Sequence, residues 1–381
     1  MKDAPSQLRV CFPFENRSVG GSYYATKLLI EHFDPQVVKS FVVTHQKGPW
    51  SRLLTEFCGD QHFELALSLP FSRAGIVRTV YDFVKCSLSL SSFLRREHID
   101  IVHTNEDSTA LAWALACRLA GKVHVWHQHA VPAASRSTRL LRNQSTVLLS
   151  ASEYIGEELR SAGRAPDFKL DNPFVFEGEV GVSERLKQEK RKALGLSGEA
   201  LVLVFVGSLT EQKRPRQAIE VLAQLQRLAG RTVGLKMFGD DRYGMMKDLE
   251  SYASELGVAE NLEFMGVHTS LSSYYQAADF LLSPAIQEGF GRVLVEAMYY
   301  GCCVVAADSG GHREVIESGK NGFLVKPDSS QDMVSAVLSC MSNPAERKRI
   351  IQNAKNDAQK RCDNKVQLIK LMDIYREILN K

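Results

Sequence analysis

One stretch of the sequence constrains the fold more than any other, because it combines two apolar runs with a glycine-rich turn and a helical pattern. The first apolar run covers residues 280–285, the turn covers 289–291, and the helical pattern closes at Gly301 before a second run at 302–307. This order predicts strand, loop, helix and strand in an open parallel sheet. Because loops at the carboxyl ends of such strands bind ligands and a helix amino terminus favours anions, we expect a phosphate-bearing ligand here.

Two glutamates flank this turn. Glu288 lies in the predicted loop, whereas Glu296 falls in the second turn of the predicted helix and points away from its apolar face. Two interpretations are open. The pair is either a solvated loop acid and an exposed partner of Arg292 four residues earlier, or a pair of functional carboxylates.

Length and composition set the outer limits. A chain of 381 residues predicts two domains of ordinary size. Hydrophobic residues make up 44% and charged residues 24%, as in a soluble globular enzyme. The net charge of only +3 argues against a nucleic-acid partner.

The eight cysteines include no Cys-x-x-Cys pair, and several lie in apolar patterns, so we expect buried thiols in a reducing compartment. The first residues lack an apolar signal core, and no uninterrupted apolar run approaches the length of a membrane span. These features predict a cytoplasmic protein.

The amino-terminal half alternates strands and helices, which predicts a doubly wound, Rossmann-like α/β domain. Residues 8–12 form the first strand, and Gly20 and Gly21 precede the first helical run. Two glycines let backbone amides approach an anion, but they are also a common flexible turn. Further strands are expected at 37–44 and 62–67, with a helix at 50–58 between them.

Residues 73–97 are basic and amphipathic. They form either an ordinary pair of surface helices or a patch for an anionic acceptor or membrane surface. A strand at 123–126 is followed by His127 and His129, which share one side of an extended chain. A two-histidine metal site lacks a third ligand nearby, so a single histidine in a ligand site is favoured.

The second alternating half begins with the strand 201–206, which runs into a turn containing Ser208, Lys213 and Arg214. Basic residues beside a strand end suit a diphosphate, although such residues are often only solvated. A charged segment before this strand, with a short solvated helix at 183–195, predicts the domain boundary. Apolar positions in 365–379 predict a final helix that packs on another element.

The phrase from Glu288 through Gly289, Phe290 and Gly291 to Glu296 resembles the Glu-(seven residues)-Glu signature of retaining glycosyltransferases of the glycosyltransferase 4 family. The resemblance extends over essentially the whole chain and is most specific in the carboxyl-terminal half. It implies the B-type glycosyltransferase fold (GT-B), two Rossmann-like domains facing across a cleft. The implied domains are an acceptor-binding domain at 1–174, a nucleotide-sugar-binding domain at 199–362 and a final helix at 363–381 that packs back on the first.

The resemblance also implies roles for individual residues. Lys213 is similar to the lysine that neutralises the donor diphosphate, Glu296 to the carboxylate that binds the ribose, and Glu288 to the acid beside the sugar. His129 is placed like the histidine that contacts the donor sugar. The remaining donor-binding candidates are backbone or side-chain groups of Gly20, Gly21, Ser208, Arg214, Gly289, Phe290 and Gly291. No metal or cofactor is implied, because a lysine and helix amides stabilise the leaving diphosphate.

One departure concerns Ser208, which stands where the family usually has an arginine that contacts phosphate. Arg214 is a candidate for the missing charge. A second departure is the sequence after Gly239, which leaves the nucleotide base open.

The function implied is metal-independent transfer of a hexose-type sugar from a nucleotide sugar to a glycan or lipid-linked acceptor, in bacterial-type surface polysaccharide or glycolipid synthesis. Location on the inner face of the cell membrane is a further interpretation. Two alternatives stay open: a sugar-nucleotide epimerase of the same architecture and a non-catalytic nucleotide-sugar-binding subunit. A dehydrogenase is disfavoured because neither half has Gly-x-Gly-x-x-Gly after its first strand.

Overall fold

The computed structural model describes residues 7–15, 20–45, 62–65, 76–105, 107–133, 136–175, 183–268, 270–361 and 364–380. The chain forms two compact units. Unit 1 comprises Met1–Val175 and Cys362–Lys381, and unit 2 comprises Phe176–Arg361. In the described parts, each unit is built on one sheet whose paired strands all run parallel.

The sheet of unit 1 has the order β3-β2-β1-β4-β5-β6-β7. Its strands are β1 (Leu8–Phe14), β2 (Val38–Thr44), β3 (His62–Glu64), β4 (Ile101–Thr104), β5 (Val123–Gln128), β6 (Val147–Ser150) and β7 (Phe168–Lys169). Its helices in chain order are α1 (Gly21–His32), α2 (Ile76–Arg96), α3 (Asp107–Ala120), α4 (Arg136–Arg142) and α5 (Glu153–Ser161). Ser152 caps α5, because its hydroxyl accepts a hydrogen bond from the amide of Ile155 at 3.1 Å.

The sheet of unit 2 has the order β10-β9-β8-β11-β12-β13. Its strands are β8 (Leu201–Val206), β9 (Val233–Phe238), β10 (Leu262–Gly266), β11 (Phe280–Ser283), β12 (Cys303–Ala307) and β13 (Phe323–Val325). Its helices are α6 (Glu184–Ala193), α7 (Pro215–Leu228), α8 (Met246–Glu255), α9 (Ser272–Ala277), α10 (Arg292–Tyr299), α11 (His312–Val315), α12 (Ser330–Ser342) and α13 (Pro344–Arg361), with a 3₁₀ turn at Ala259–Asn261. Strand order reverses between β8 and β11, and between β1 and β4 in unit 1.

The last helix, α14 (Asn364–Leu379), belongs to the core of unit 1. Its residues Leu371, Ile374 and Ile378 are buried in the same apolar cluster as Phe12 of β1. Tyr375 is also fully buried, and its hydroxyl lies 2.6 Å from Nδ1 of His103 on β4. The apolar pattern of the final segment therefore predicted a packed helix correctly.

Several sequence expectations differ from the structure of unit 1. Strand β5 extends to Gln128, so His127 lies within the strand and is buried rather than following it. The basic segment holds the single helix α2 over its described part, with residues 73–75 outside the described residues. The expected helix at 50–58 also lies outside them.

Two further observations concern cysteines and membrane spans. The six cysteines in the described part are buried and unbridged, and Cys58 and Cys362 lie outside it. Among the described residues, no helix combines the length and apolarity needed to cross a bilayer.

A buried carboxylate, Asp279, anchors the start of β11 in unit 2. Its side chain contacts the cations of Lys187 and Arg191 on α6 and of Arg347 on α13; the Arg191 and Arg347 nitrogens lie at 2.7 and 2.9 Å. The amide of Val202 on β8 donates to the same carboxylate at 2.8 Å. Burial alone would raise the pKa of Asp279, but the three cations outweigh it and hold the pKa well below its usual range.

This cluster corrects the expectation that the helix over 183–195 is solvated. Leu186 and Arg191 of α6 are buried, and the Nε of Arg191 donates to the carbonyl of Ala277 at 2.9 Å. The charged composition of the segment concealed this, because an arginine paired in the interior has the same sequence signature as a solvated one.

Replacing this carboxylate is expected to destabilise the protein strongly. Asp279→Asn leaves three largely buried cations without their anion, so the free energy of unfolding should fall by about 3–5 kcal/mol in urea denaturation of the full chain at neutral pH. Asp373→Asn, which breaks the exposed Asp373–Arg376 pair, is the matched control and should change it by less than about 0.5 kcal/mol.

The pH dependence has a defined sign. The pKa of Asp279 is lower in the folded state than in the unfolded state. The ionised carboxylate therefore contributes its whole stabilisation above the unfolded pKa of about 4, and this stabilisation is lost as the pH falls toward the folded pKa. The stability gap between wild type and Asp279→Asn should therefore narrow below about pH 4. A gap equal to that of the control at neutral pH would contradict the anchoring role.

Candidate functional site

The candidate site lies at the carboxyl ends of β8 and β11, which are neighbours where the strand order of unit 2 reverses. The loops after these strands cover residues 207–214 and 284–291. In open parallel sheets, ligands bind at such a reversal. The sequence predicted both loops, and the parallel pairing of their strands brings them together.

Lys213 and Glu288 form an ion pair across these two loops. The aliphatic part of Lys213 packs over the backbone of Gly207, where an added Cβ would lie 3.3 Å from its Cδ. The side chains of Lys213 and Glu288 are 25% and 19% exposed, so the pair is accessible to a ligand. The residue expected beside the diphosphate, Lys213, and the residue expected beside the sugar, Glu288, are therefore direct partners in this structure.

Glu288 is ionised in this environment. Burial would raise its pKa, but the charge and the hydrogen bond of Lys213 outweigh burial and lower it below the ordinary value. His312 was not predicted as a site residue. Its Nδ1 donates to the carbonyl of Ala307 at 2.9 Å, so in the neutral ring Nε2 is left to accept from the Ser283 hydroxyl at 3.3 Å. The only sequence signal for His312 was the second Gly-Gly turn directly before it.

That second turn shapes the glycine-rich one. The amide of Gly311 donates to the carbonyl of Glu288 at 2.8 Å. A Cβ at Gly311 would lie 2.6 Å from the oxygen of Gly289 and 2.7 Å from the Cα of Phe290, so the two backbones touch. Gly291 has φ +89° and precedes α10, a conformation that favours glycine. These contacts fix the direction of the backbone at residues 289–291.

Glu296 lies on α10 beside Arg292, whose Nη2 is 3.4 Å from a carboxylate oxygen. The pairing with Arg292 agrees with the simpler of the two interpretations, although the side chain of Glu296 is half-buried rather than exposed. Burial raises the pKa of Glu296, and Arg292 offsets part of this effect. The apolar face of the same helix is buried and includes Leu294, Val295, Ala297 and Met298.

The two other candidates in the loop after β8, Arg214 and Ser208, have different partners. Arg214 occupies the position before α7 with φ +57°, and its guanidinium pairs with the carboxylate of Asp328. Ser208 accepts a hydrogen bond from Nη2 of Arg242 at 3.3 Å. Arg242, on the loop after β9, was not predicted as a site residue, because nothing in its local sequence links it to a position 34 residues earlier.

In unit 1, the candidates lie at the carboxyl edge of the sheet. Gly20 and Gly21 lie at the start of α1, and an added Cβ at Gly20 would meet nothing within 4 Å. Nε2 of His129 lies 3.1 Å from Oδ1 of Asn105, and the ring packs 4.1 Å from that of His127. Burial lowers the pKa of His127 to about 4, so its ring is neutral at physiological pH. No cluster of three or more potential metal ligands occurs among the described residues.

A family model links this region to known proteins. Residues 187–357 match the family described as Glycosyl transferases group 1. The matched segment runs from α6 into α13 and contains Lys213, Glu288 and Glu296.

Curated relatives cover part of the chain. An uncharacterized glycosyltransferase of Methanocaldococcus jannaschii is 30% identical over 223 residues, 56% of this chain and 55% of the relative. The D-inositol 3-phosphate glycosyltransferase of Actinosynnema mirum is 34% identical over 179 residues, 45% of this chain and 43% of that protein. The chain thus spans about half the length of the curated relatives it matches.

Among solved structures, Anabaena HepE in complex with UDP and glucose has a TM-score of 0.81 at 22% identity, covering 97% of this chain and all of that one (100%). This likeness shows the fold. Together with the two parallel α/β sheets, it confirms the predicted two-domain, Rossmann-like GT-B fold.

Proposed function

We propose that this chain, whose residues 187–357 match the group 1 glycosyl transferase family, is a retaining glycosyltransferase of the family 4 type. It would move a hexose-type sugar from a nucleotide diphosphate donor to an acceptor hydroxyl. The observation that carries the proposal is the accessible pair of Lys213 and Glu288 at the strand-order reversal of unit 2.

The chemistry follows from what the pair offers to a donor. As the bond between sugar and diphosphate breaks, negative charge grows on the phosphate oxygens and needs fixed positive charge. Lys213 supplies a cation, and backbone amides in Gly289, Phe290 and Gly291 supply oriented dipoles near the start of α10. Glu288, held ionised, is assigned to the sugar. A resident metal is not required by this scheme.

Three further roles are proposals drawn from the family resemblance. Glu296 binds the ribose hydroxyls of the donor, and its half-buried position beside Arg292 supports an ordered carboxylate. In unit 1, His129 is assigned to the sugar and the Gly20-Gly21 backbone to an anionic group. The open space at Gly20 supports close approach of a ligand to the backbone there.

Transfer itself is tested by incubating the purified chain with a panel of nucleotide sugars and an extract of glycans and lipid-linked sugars. We expect release of nucleoside diphosphate that depends on the extract, and NMR of the product should show the anomeric configuration of the donor. Activity should survive exhaustive EDTA treatment. An epimerised donor would favour the epimerase, binding without turnover would favour the non-catalytic subunit, and activity restored only by Mg²⁺ or Mn²⁺ would contradict the metal-independent scheme.

Lys213→Ala separates transition-state stabilisation from ground-state binding. Because charge on the diphosphate grows during bond cleavage, kcat should fall by about 100- to 1,000-fold, on the order of 3–4 kcal/mol, and donor affinity by much less. Lys320→Ala, which breaks an exposed Lys320–Glu317 pair in the same unit, should leave both unchanged. Normal single-turnover rates for Lys213→Ala would remove Lys213 from the site.

The acceptor proposal rests on helix α2, within the basic segment 73–97. Tyr81, Val84 and Leu88 are 65%, 43% and 53% exposed and lie at helical spacing on one side. Exposed Lys85, Arg95 and Arg96 add positive charge along the same helix. An apolar stripe with basic residues is typical of helices that lie on anionic lipid surfaces, and it supports a lipid-linked acceptor at the cytoplasmic face.

Vesicle co-sedimentation tests this surface. The double variant Tyr81→Ser/Leu88→Ser should lower partitioning onto vesicles containing anionic lipid by about tenfold, because two apolar side chains no longer insert. Leu228→Ser, at an exposed leucine on α7 of unit 2, is the matched control. Equal binding of wild type to neutral and anionic vesicles, or equal losses in both variants, would contradict the assignment.

A further inference from the structure

Ser208, at the carboxyl end of β8, stands where the family that the sequence resembles usually has an arginine that contacts phosphate. Ser208 follows Gly207 directly, and Lys213 packs over Gly207. Arg242 also reaches this turn, with its Nη2 3.3 Å from the Ser208 hydroxyl oxygen. Two cationic side chains therefore contact Gly207 and Ser208, one from their own loop and one from the loop after β9.

Arg242 is held in this position by an acid. Its Nε donates to Oδ2 of Asp240 at 2.6 Å. Burial would raise the pKa of Asp240, but hydrogen bonds from Arg242 and Ser208 outweigh it and lower the pKa, so the carboxylate stays charged. Arg242 thus has the same arrangement as Lys213, whose partner is Glu288: a cation on one strand-end loop that is neutralised by one carboxylate.

The backbone fixes the distance between Arg242 and Ser208. The amide of Leu209 donates to the carbonyl of Asp240 at 2.9 Å, and that of Gly207 donates to Phe238 at 2.9 Å. Gly239 approaches so closely that an added Cβ would lie 1.9 Å from the oxygen of Gly207. The loop that carries Arg242 is therefore tied to the end of β8 by contacts that do not involve its side chain.

Arg214, the candidate suggested by the sequence, has other partners. Its guanidinium pairs with Asp328, and its Nη1 lies 3.4 Å from Oε1 of Gln217. Its backbone is in the left-handed region directly before Pro215, at the start of α7. These constraints direct Arg214 toward Asp328 and leave Ser208 to Arg242.

A shallow pocket of about 500 Å³ adjoins the two loops, lined by Thr210, Glu211, Gln212, Tyr243 and Met245. Tyr243 is the neighbour of Arg242 in the chain, and Thr210 follows Ser208 by two residues. A ligand with a phosphate group at Ser208 therefore has adjacent space for a further part. A nucleoside diphosphate combines these two features.

We propose that Arg242 is a phosphate-binding residue of the donor site and supplies the cation that Ser208 lacks. The inference rests on the proposed function. Nε of Arg242 donates to Asp240 and Nη2 donates one hydrogen to Ser208. The remaining N–H groups of the guanidinium can donate to phosphate oxygens, which arginine binds through charge-assisted hydrogen bonds. Ser208 is small enough to leave room for that guanidinium, and its hydroxyl accepts from it.

Calorimetric titration with UDP, GDP, ADP and CDP first identifies a diphosphate that the wild type binds. Arg242→Gln should then lower the affinity for that diphosphate by about tenfold to a hundredfold, the loss typical of one charge-assisted hydrogen-bond partner. Arg242→Lys should retain part of the affinity, because it keeps the charge but loses the planar donor set. Arg185→Gln, at an exposed ion pair on α6, is the matched control and should bind like wild type.

A second variant makes the test specific to the position. Ser208→Arg in the Arg242→Gln background should recover at least half of the lost binding free energy, since it restores a guanidinium at the same point. Circular dichroism melting of each variant confirms that it is folded.

The outcomes separate the inference from the function. If Lys213→Ala weakens the diphosphate but Arg242→Gln binds like Arg185→Gln, the donor site stands and the role of Arg242 is overturned. The role of Arg242 is also overturned if Ser208→Arg recovers none of the diphosphate affinity that Arg242→Gln loses. If the wild type binds none of the four diphosphates, the proposed function fails first, and the role of Arg242 fails with it.

Discussion

The pairing of β8 with β11 is the constraint on which the second unit depends, and Asp279 fixes it. The amide of Asp279 donates to the carbonyl of Val202 at 2.8 Å, while the amide of Val202 donates back to the Asp279 carboxylate. The register that follows sets Phe280 opposite Leu203. Because Lys213 and Glu288 lie on the loops that continue these strands, an anchor at one edge of the sheet aligns the charges at the other.

The two edges use ion pairs in different ways. The carboxylate of Asp279 is only 6% exposed and has three cationic partners, so removing the carboxylate leaves all three without their shared anion. The pairs Lys213–Glu288 and Arg242–Asp240 are partly exposed, and exposed pairs contribute little net stability. Cations in such pairs can exchange a carboxylate for a phosphate at small cost, which suits a binding edge. The buried cluster suits a permanent anchor.

The sequence predicted most of the strands and both site loops, because each is encoded by a local pattern of apolar runs and glycine turns. It missed features that depend on distant partners. Arg191 of α6 pairs with Asp279, 88 residues later, and looked solvated because a charged residue is usually exposed. Arg242 reaches Ser208 across 34 residues only because β8 and β9 are neighbours. The sequence placed the end of β5 too early, because His127 and Gln128 are polar yet continue the strand and are buried in it.

The contacts of His127 and His103 in unit 1 show why histidines are compatible with buried strands. Nε2 of His127 faces the carbonyl of Leu170 at 3.1 Å, and since a carbonyl only accepts, Nε2 carries the hydrogen. Burial, reinforced by His127 and His124, holds the pKa of His103 well below its ordinary value, so the rings of His103 and His127 pack 5.5 Å apart without charge repulsion. Tyr375 of α14 contacts the first of these rings. The final helix therefore does more than cover apolar surface, because it contacts the neutral imidazole of His103, which packs against that of His127.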